Sequence, residues 1–351
     1  MAVSARVPNI FPRRPQDRRK AVYVACSHRW LHSKLVEEAE TSPDFDLVRD
    51  RDGADLIIYL DGAWPDTEAP DRLRDLTLAQ LMRTLVFCQR DTPIPWAPGM
   101  YASLPLRRGQ TASAFSGGFY VLNHQNEAGG LAAHLNAARA IAPDLLWSFM
   151  GTAANAAVRQ RIMELRDPRA LTRDTKRWSD TLRWGRESTH QAEAQRAVEL
   201  YAATLGRSSF VVCPRGVGLS SIRLFEALAI GRCPVILADG WLPPPFVDWD
   251  SCSIRIPESH VQRIPEILRS REGDANQLGT NARAVWEKFF SSKTQLSTLV
   301  RGCLQISERI TPRTRLAVAL TALAERSTVT AVASRRHQVG AWRSVGALRR
   351  Q

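Results

Sequence analysis

The segment "CPRGVGLSSIRLFEALAIGRCPVILADG", residues 213–240, places arginines, glycines and serines between two apolar runs. Arg215 and Arg223 can each donate forked hydrogen bonds to the oxygens of a phosphate group. Gly216 and Gly218 would let the backbone of a tight loop approach a ligand closely. These residue types in this order predict a binding site for a phosphate or diphosphate.

Two serines and a glutamate extend the pattern. Ser220 or Ser221 can cap the following helix, and the free N–H groups at a helix start favour an anion. Glu226 lies three residues after Arg223, on about the same helix face, where a carboxylate can accept hydrogen bonds from a ribose diol. Phosphate and ribose together indicate a nucleotide. The alternative is a simple Arg223–Glu226 surface pair, worth about 0.3–0.5 kcal/mol.

The elements that must position these residues alternate between apolar runs and runs of helical spacing. In the first half, residues 92–105 are rich in Pro, Gly and Ser and are typical of a loop, and one more strand is expected within 117–124. The other elements of this half are predicted as strands at 21–26, 45–48, 55–60 and 84–89 and helices at 33–40 and 72–83.

The second half repeats the alternation. Residues 168–190 are polar and basic, and no element is predicted there. The remaining segments are predicted as strands at 144–151, 209–213 and 233–238 and helices at 155–165, 193–205 and within 261–310. This order predicts an α/β protein with two Rossmann-like domains, each built on a parallel sheet with helices on both faces.

The predicted organisation has four parts. A basic N-terminal arm at 1–20 precedes a Rossmann-like domain at 21–143, and a second domain at 144–311 precedes a basic tail at 312–351. Ligands of open parallel sheets bind beyond the carboxyl ends of the strands, and segment 213–240 starts at such an end.

The net charge of +13 is concentrated at the two ends of the chain. Residues 1–20 carry +5 and residues 312–351 carry +7, with eight arginines, so the body carries only about +1. Basic ends suit an anionic membrane surface or nucleic acid, and the alternative is a pair of solvated tails. Residues 316–324 are apolar but too short to span a bilayer, and are expected to form an amphipathic helix on its surface.

Other motifs narrow the function class. The six cysteines form no C-x-x-C pair and are expected to be reduced, buried thiols. The seven histidines lack zinc-site spacing, and the D-x-D sequence at 50–52 precedes a strand, so no metal site is expected. With no apolar signal segment at the N-terminus, we expect a cytoplasmic protein that binds a membrane only peripherally.

Residues 210–258 resemble the nucleotide-sugar-binding half of the exostosin family of glycosyltransferases. The family's succession of C-P-x-G, S-x-R-x-x-E-A-L, G-x-x-P-V, P-F and a Trp-containing segment is matched here by Cys213, Pro214, Gly216, Ser221, Arg223, Glu226, Gly231, Pro234, Pro245, Phe246 and Trp249. Two flanking segments also match: a strand–G–x–R–helix element with Gly151 and Arg159, and "WEKFFSS" at 286–292.

The resemblance implies a glycosyltransferase of GT-B architecture, in which two Rossmann-like domains face a crevice. It implies an inverting enzyme with a UDP-sugar donor on the C-terminal half, a glycan or lipid-linked glycan acceptor on the N-terminal half, and neither cofactor nor metal. Arg215 and Arg223 would bind the diphosphate, Glu226 the ribose, and Gly151 and Arg159 would face the same crevice. The resemblance is good over residues 144–300 and loose over residues 21–126. The family therefore does not indicate which residue of this chain is the catalytic base.

A base is therefore sought at the strand ends of the N-terminal half, which offer three candidates. Asp91 opens a long Pro- and Gly-rich loop and is favoured. Asp61 is second, because it also fits an ordinary turn. His28 is third: the ordinary pKa of histidine suits a base near neutrality, but its segment fits a helix cap equally well. Two other functions stay open: a catalytically inactive partner subunit and a basic nucleic-acid-binding protein. The latter leaves the neutral body and the 213–249 pattern unexplained, so no nucleic-acid partner is expected.

Overall fold

The computed structural model describes residues 19–26, 32, 35, 36, 39, 41–61, 75–91, 97–105, 114–121, 131–176 and 191–324. Four predictions fall wholly or mostly outside the described residues: His28, the helix at 33–40, all but the last two residues of the basic arm, and the part of the basic tail beyond residue 324.

The first sheet has six parallel strands, in the order β2-β1-β3-β4-β5-β6. Its central strands are apolar and buried on both faces, as expected where helices cover a parallel sheet. The strands predicted at 21–26, 45–48, 55–60 and 84–89 are confirmed, each within one residue of its expected ends. The strands are β1 Lys20–Cys26, β2 Phe45–Leu47, β3 Leu56–Asp61, β4 Thr84–Cys88, β5 Gly99–Tyr101 and β6 Phe115–Gly117.

The second sheet has five parallel strands, in the order β11-β10-β9-β7-β8. Read from its own first strand this is the 2-1-3-4-5 order of doubly wound folds, with a switch point between β7 and β9. The strands are β7 Leu145–Gly151, β8 Ala170–Asp174, β9 Ser208–Pro214, β10 Cys233–Leu237 and β11 Ile254–Arg255.

Helices connect these strands in both halves. The bounds are α1 Leu78–Leu81, α2 Leu131–Ala138, α3 Ala157–Glu164, α4 Gln191–Gly206, α5 Ile222–Ile230, α6 Ile264–Ser270, α7 Ala275–Val285 and α8 Gln295–Arg309, with a π-helical turn at Trp286–Phe290 after α7. Residues 312–324 are also helical. Among the described residues, no helix has both the length and the hydropathy that crossing a bilayer requires.

Four short segments differ from the sequence expectations. Strand β5 lies inside the segment expected to be loop, and β8 inside the polar, basic segment. The strand expected within 117–124 lies earlier, at Phe115–Gly117, and Gly117 and Gly118 bring the backbone against Pro243 and Tyr101, where no Cβ would fit. The predicted helix at 72–83 is only one turn long within the described residues.

The last helices return to the first sheet, although α8 was expected to belong to the second domain. Helix α8 packs against strands β3 to β6, and the Arg301 guanidinium pairs with the Asp44 carboxylate at 2.6 Å. In the helix at 312–324, Ala319 and Ala322 pack with Leu81. The last described helices therefore pack on the first half of the molecule, which contains the N-terminal strands.

One apolar core runs from the first sheet into the second, through the aromatic rings of Phe119, Phe225 and Phe290. A backbone bridge between Pro105 and Trp241 joins the same two halves. The prediction of buried thiols is confirmed for Cys26, Cys88, Cys213, Cys233 and Cys252, and Cys303 is buried as well.

Candidate functional site

The candidate site lies at the switch point of the second sheet, where β7 and β9 are neighbours. Strand β7 ends at Gly151, and strand β9 ends at Pro214. Residues 215–221, which we call the β9–α5 loop, lead from there into helix α5. Ligands of doubly wound sheets bind where the chain leaves such strand ends in opposite directions.

The side chain of Arg223 is the clearest feature of this site. The residue is only 7% exposed, and its guanidinium lies over the Phe149 ring at 5.0 Å from the centroid. Its Nε and Nη1 atoms are buried and have no hydrogen-bond partner among the described residues. Buried polar groups almost always form hydrogen bonds. Two donors without a partner on one buried cation therefore indicate a binding site for an anionic ligand.

Tyr201 and Glu226 hold this arginine from behind. The Tyr201 hydroxyl donates a short hydrogen bond to Glu226 Oε2, and the Arg223 guanidinium lies 5.8 Å from the centroid of the Tyr201 ring. Burial opposes the charge of Arg223, but Tyr201 and Glu226 more than offset it, so its pKa stays above its ordinary value. Burial raises the pKa of Glu226, and Arg223 and Tyr201 oppose that change. The arginine therefore remains charged.

Arg159 lies beside Arg223 and anchors the start of the β9–α5 loop. Its Nε donates to the Arg215 carbonyl at 2.8 Å and its Nη2 to the Pro214 carbonyl at 3.3 Å. Its guanidinium is 5.8 Å from the centroid of the Phe149 ring that Arg223 also covers. Burial, and then the charge of Arg223, lower the pKa of Arg159 to about 10. Two like charges held together in this way favour an anion between or beside them.

The glycines of the site make room for these guanidinium groups. A Cβ on Gly151 would lie 2.8 Å from Arg223 Nη2, and a Cβ on Gly216 would lie 3.1 Å from Arg159 Nη2. The sequence interpretation gave the loop glycines the role of letting the backbone approach a ligand. The structure adds that Gly151 and Gly216 accommodate the two arginines.

The serines occupy the expected position but do not cap helix α5 with their hydroxyl groups. Ser221 is the N-cap residue and makes no side-chain capping hydrogen bond, so the expectation of a hydroxyl cap is wrong here. Ser220 and Ser221 are each 5% exposed, and their Oγ atoms have no partner within the part of the chain that the structure describes. Both hydroxyls thus remain available to a ligand, as do the Arg223 donors.

Arg215, in contrast, is already paired. Its Nε donates to Glu258 Oε1 at 2.8 Å, and Glu258 also accepts from the Asp239 amide at 3.2 Å. Its side chain is 29% exposed. An arginine with a carboxylate partner offers a ligand less net charge than Arg223 does.

Residues of the first sheet border the β9–α5 loop from the other side. Asp91, the favoured base, is exposed and follows strand β4. A Cβ on Gly218 would lie 2.6 Å from Asp91 Oδ1 and 2.5 Å from Ser103 Oγ, so the two halves touch at this glycine. Ser103 Oγ also accepts from the Ser220 amide at 3.3 Å and lies 2.9 Å from the Tyr120 hydroxyl. The structure therefore brings Asp91 beside the loop that starts the nucleotide pattern.

Asp61, the second candidate base, lies at the end of β3 and is largely buried. Its Oδ2 accepts from Cys88 Sγ at 3.5 Å and is 3.7 Å from Arg90 Nη1. Burial raises the pKa of Asp61, while the charge of Arg90 opposes the change. Such a carboxyl binds a proton more readily than an exposed one does.

Sequence reasoning missed Tyr201, Phe149, Ser103 and Tyr120. Tyr201 lies on an ordinary amphipathic helix and Phe149 in an apolar strand, where aromatic residues usually belong to the core. Ser103 lies just after β5, which was not predicted, and Tyr120 lies just after β6, which was predicted at later residues. No local signal in the sequence distinguishes these four residues.

Within the described ranges, no group of three or more His, Cys, Asp or Glu side chains is arranged to hold a metal ion. The D-x-D sequence at 50–52 forms a turn in which Asp52 Oδ1 accepts from Gln80 Nε2 at 2.6 Å. The positive charge of the candidate site comes from arginine and from the start of helix α5.

Comparison with known proteins gives the same interpretation as the pattern. Residues 133–271 match the Exostosin GT47 domain family. The chain is 35% identical over 95 residues to the Exostosin-1 homolog of Caenorhabditis elegans, covering 26% of this chain and 25% of that protein. It is 36% identical over 104 residues to Exostosin-1b of Danio rerio, covering 28% and 14% of the two chains.

These alignments span a quarter or less of each relative's length, so the likeness concerns one domain. That domain contains the Gly151 loop, Arg159 and the whole stretch from Pro214 to Glu226. The resemblance inferred from the sequence is confirmed over this stretch: residues 133–271 are similar to the Exostosin GT47 domain, a domain of glycosyltransferases.

Proposed function

We propose that the protein transfers a sugar from a nucleoside-diphosphate donor to a hydroxyl group of a glycan or lipid-linked glycan. The observation that carries the proposal is the buried Arg223 guanidinium, whose Nε and Nη1 lack partners among the described residues, beside the unpaired hydroxyls of Ser220 and Ser221. A diphosphate supplies the charge and the acceptor oxygens that these groups require. The match of residues 133–271 to the Exostosin GT47 domain supports a sugar as the group attached to it.

In the proposed reaction, the acceptor oxygen attacks the anomeric carbon from the face opposite the leaving group. The bond from that carbon to the diphosphate oxygen breaks, and negative charge grows on the diphosphate. Arg223 and the N-terminus of helix α5 stabilise this charge, and electrostatic stabilisation of that kind is often the largest catalytic contribution. Direct displacement of this kind inverts the anomeric configuration.

The proton of the acceptor hydroxyl needs a base on the opposite side of the site. Asp91 is our first choice, because it is exposed, carries a carboxylate and lies against Gly218 of the β9–α5 loop. Asp61 is the second choice. A positioned base of this kind contributes about 10²–10⁴-fold to turnover.

The remaining nucleotide contacts are proposed from the geometry and from the family resemblance. Glu226 lies one helical turn from Arg223 and remains our proposed ribose ligand, with one carboxylate oxygen accepting from Tyr201. Uridine diphosphate is the proposed nucleotide, which rests on the family resemblance. Arg159 shapes the diphosphate site mainly by holding the backbone of the β9–α5 loop.

The proposal is tested with a panel of nucleotide sugars and uridine diphosphate release as the readout, together with calorimetric titration with uridine diphosphate and duplex DNA. We expect turnover of one UDP-sugar and binding of uridine diphosphate but not of DNA. Binding of DNA alone would favour the nucleic-acid alternative. Binding of uridine diphosphate without turnover of any donor, even with glycan acceptors, would favour an inactive partner subunit.

A further inference from the structure

Ser103 and Tyr120 connect the proposed base to the proposed nucleotide loop. The Ser220 backbone N–H donates to Ser103 Oγ at 3.3 Å, and Ser103 Oγ lies 2.9 Å from the Tyr120 hydroxyl. The Tyr120 hydroxyl in turn donates to Asp91 Oδ1 at 3.5 Å. The four groups form one unbroken series from the second half of the molecule to the first.

The chemistry of these groups fixes the direction of every hydrogen bond. An ionised carboxylate can only accept, so the hydrogen of the Tyr120 hydroxyl must point towards Asp91. Tyr120 then has no hydrogen left for Ser103, so the Ser103 hydroxyl must donate to Tyr120. Ser103 Oγ accepts from the Ser220 N–H, which can only donate. No other arrangement makes all three hydrogen bonds at once.

The surroundings keep Tyr120 in this role. Burial raises the pKa of Tyr120, so the phenol keeps its proton and remains a donor. The Tyr120 ring meets Phe225 edge to face at a centroid distance of 6.1 Å, and Phe225 lies on helix α5 beside Arg223. Ser103 is 1% exposed and so is shielded from competing water.

We propose that Ser103 and Tyr120 are positioning residues, and that their directed hydrogen bonds orient the Asp91 carboxylate relative to the nucleotide held by the β9–α5 loop. The inference rests on the proposed function, because it concerns how the base is placed for that reaction. Neither residue touches the reacting atoms in this account. Each acts through Asp91 on one side and through the Ser220 amide on the other.

A double-variant comparison separates positioning from general damage. We expect Tyr120→Phe to lower kcat by roughly tenfold in the parent, the size of one net hydrogen bond to a charged group. In an Asp91→Asn background the same change should lower kcat by less than about twofold, since a group that acts through Asp91 has nothing left to orient. The affinity for uridine diphosphate should stay close to that of the parent in both backgrounds.

Tyr101→Phe is the matched control. It also removes a buried tyrosine hydroxyl of the first sheet, one that donates to the Ala97 carbonyl at 2.6 Å. The control should leave kcat near the parental value. If Tyr120→Phe does not fold, Ser103→Ala provides the same comparison, because it interrupts the series at the previous hydroxyl.

Different results would overturn the proposed function and the positioning role. A parent that binds no uridine diphosphate and turns over no donor overturns the proposed function, and this inference with it. If the parent binds uridine diphosphate and turns over a donor, two results would overturn the positioning role alone. One is a kcat of Tyr120→Phe equal to that of Tyr101→Phe. The other is the same loss of kcat from Tyr120→Phe with and without Asp91. Loss of kcat that disappears in the Asp91→Asn background supports it.

Discussion

The two sheets are built on the same strand order but present opposite chemistry at their carboxyl ends. In the second sheet, two buried arginines from the following helices, Arg159 and Arg223, lie at the ends of β7 and β9 and contact the Phe149 ring. In the first sheet, the ends of β3 and β4 lead to carboxylates, Asp61 and Asp91. The shared topology places polar side chains at the strand ends of each half. Arginine at these ends favours binding of an anion, whereas a carboxylate favours acceptance of a proton.

This difference implies a division of roles across one site. The second sheet would bind and stabilise the leaving diphosphate, whereas the first would remove the acceptor proton. Substitutions at the ends of the second sheet should therefore alter nucleotide binding, and those at the ends of the first should alter turnover without altering binding.

The largest effect is expected from Asp91→Asn, which keeps the side-chain shape but removes the base. Turnover should fall by about 10²–10⁴-fold, while the dissociation constant for uridine diphosphate stays near the parental value. Initial rates and calorimetry measure the two quantities. Asp46→Asn, at an exposed carboxylate of strand β2, is the control. Near-parental turnover by Asp91→Asn would shift the search to Asp61.

Arg223→Met should have the next largest effect. Loss of about 2–4 kcal/mol of transition-state stabilisation corresponds to roughly 30- to 1000-fold in kcat/KM. The variant should unfold at a lower temperature than the parent, because it leaves the buried Glu226 carboxyl without its neighbouring cation, so kcat/KM is the quantity that separates the two roles. A lower unfolding temperature together with normal kcat/KM would mean that Arg223 is structural.

Gly218→Ala should disturb the contact between the two halves. The added Cβ would lie within 2.6 Å of Ser103 Oγ and Asp91 Oδ1, so these two side chains must shift away from the β9–α5 loop. Such overpacking typically costs about 1–3 kcal/mol, and we expect kcat/KM to fall by roughly tenfold. Gly273→Ala is the control, because nothing lies within 4 Å of its added Cβ. Equal kinetics for both variants would show that this contact does not matter to the reaction.

Asp61→Asn should affect stability in a way that depends on pH. Burial raises the pKa of this carboxyl in the folded chain above its unfolded value, so the ionised form destabilises the fold at neutral pH. The variant should therefore be more stable than the parent near pH 7.5. This advantage should shrink as the pH falls through the folded pKa and vanish below the unfolded value, which is about 3.9. Denaturant unfolding at several pH values measures it, and a difference that does not change with pH would contradict the explanation.

The smallest effect on turnover is expected from removing residues 325–351. We propose that this segment, with six arginines and one glutamate, holds the protein on an anionic membrane, at about 1 kcal/mol per basic residue. Leu316 and Leu320, which are 40% and 51% exposed on the preceding helix, would contact the same surface. Ending the chain at residue 324 keeps the contact of Ala319 and Ala322 with Leu81.

The truncated chain should lose salt-sensitive binding to phosphatidylserine-containing vesicles and keep its turnover of a soluble acceptor. Vesicles of phosphatidylcholine alone are the control for charge. Vesicle binding equal to that of the full chain would rule out the membrane role of the segment.

The sequence predicted the parts of the fold that have strong local patterns. Strands β1, β3, β9 and β10 are continuous apolar runs, so their hydropathy alone identifies them. Strands β5 and β8 have three and five residues without such a run, and they exist because they pair with a neighbouring strand. Tertiary pairing of this kind leaves no local signal.

The candidate site shows the same limit. Arg223, Ser220 and Ser221 could be identified because one loop and one helix contain them all. Ser103 and Tyr120 come from separate segments of the first half, and only contacts formed in the folded chain, such as the bond from the Ser220 amide to Ser103, relate them to that loop. The pairing of Arg215 with Glu258 likewise joins residues 43 positions apart in the chain, which motif spacing does not reveal.

The most direct test of the central claim compares uridine diphosphate binding by three chains in one calorimetric series: the parent, Arg223→Met and Arg207→Met. Arg207 precedes strand β9 at the opposite end from the site and pairs with Asp144 on the surface, so the same substitution there is the control. We expect Arg223→Met to bind roughly 10- to 100-fold more weakly than the parent, the value of a lost charged hydrogen bond, and Arg207→Met to bind as the parent does. Equal affinity of Arg223→Met and the parent, or no binding by the parent, would contradict the assignment of this strand-end site to a nucleotide diphosphate.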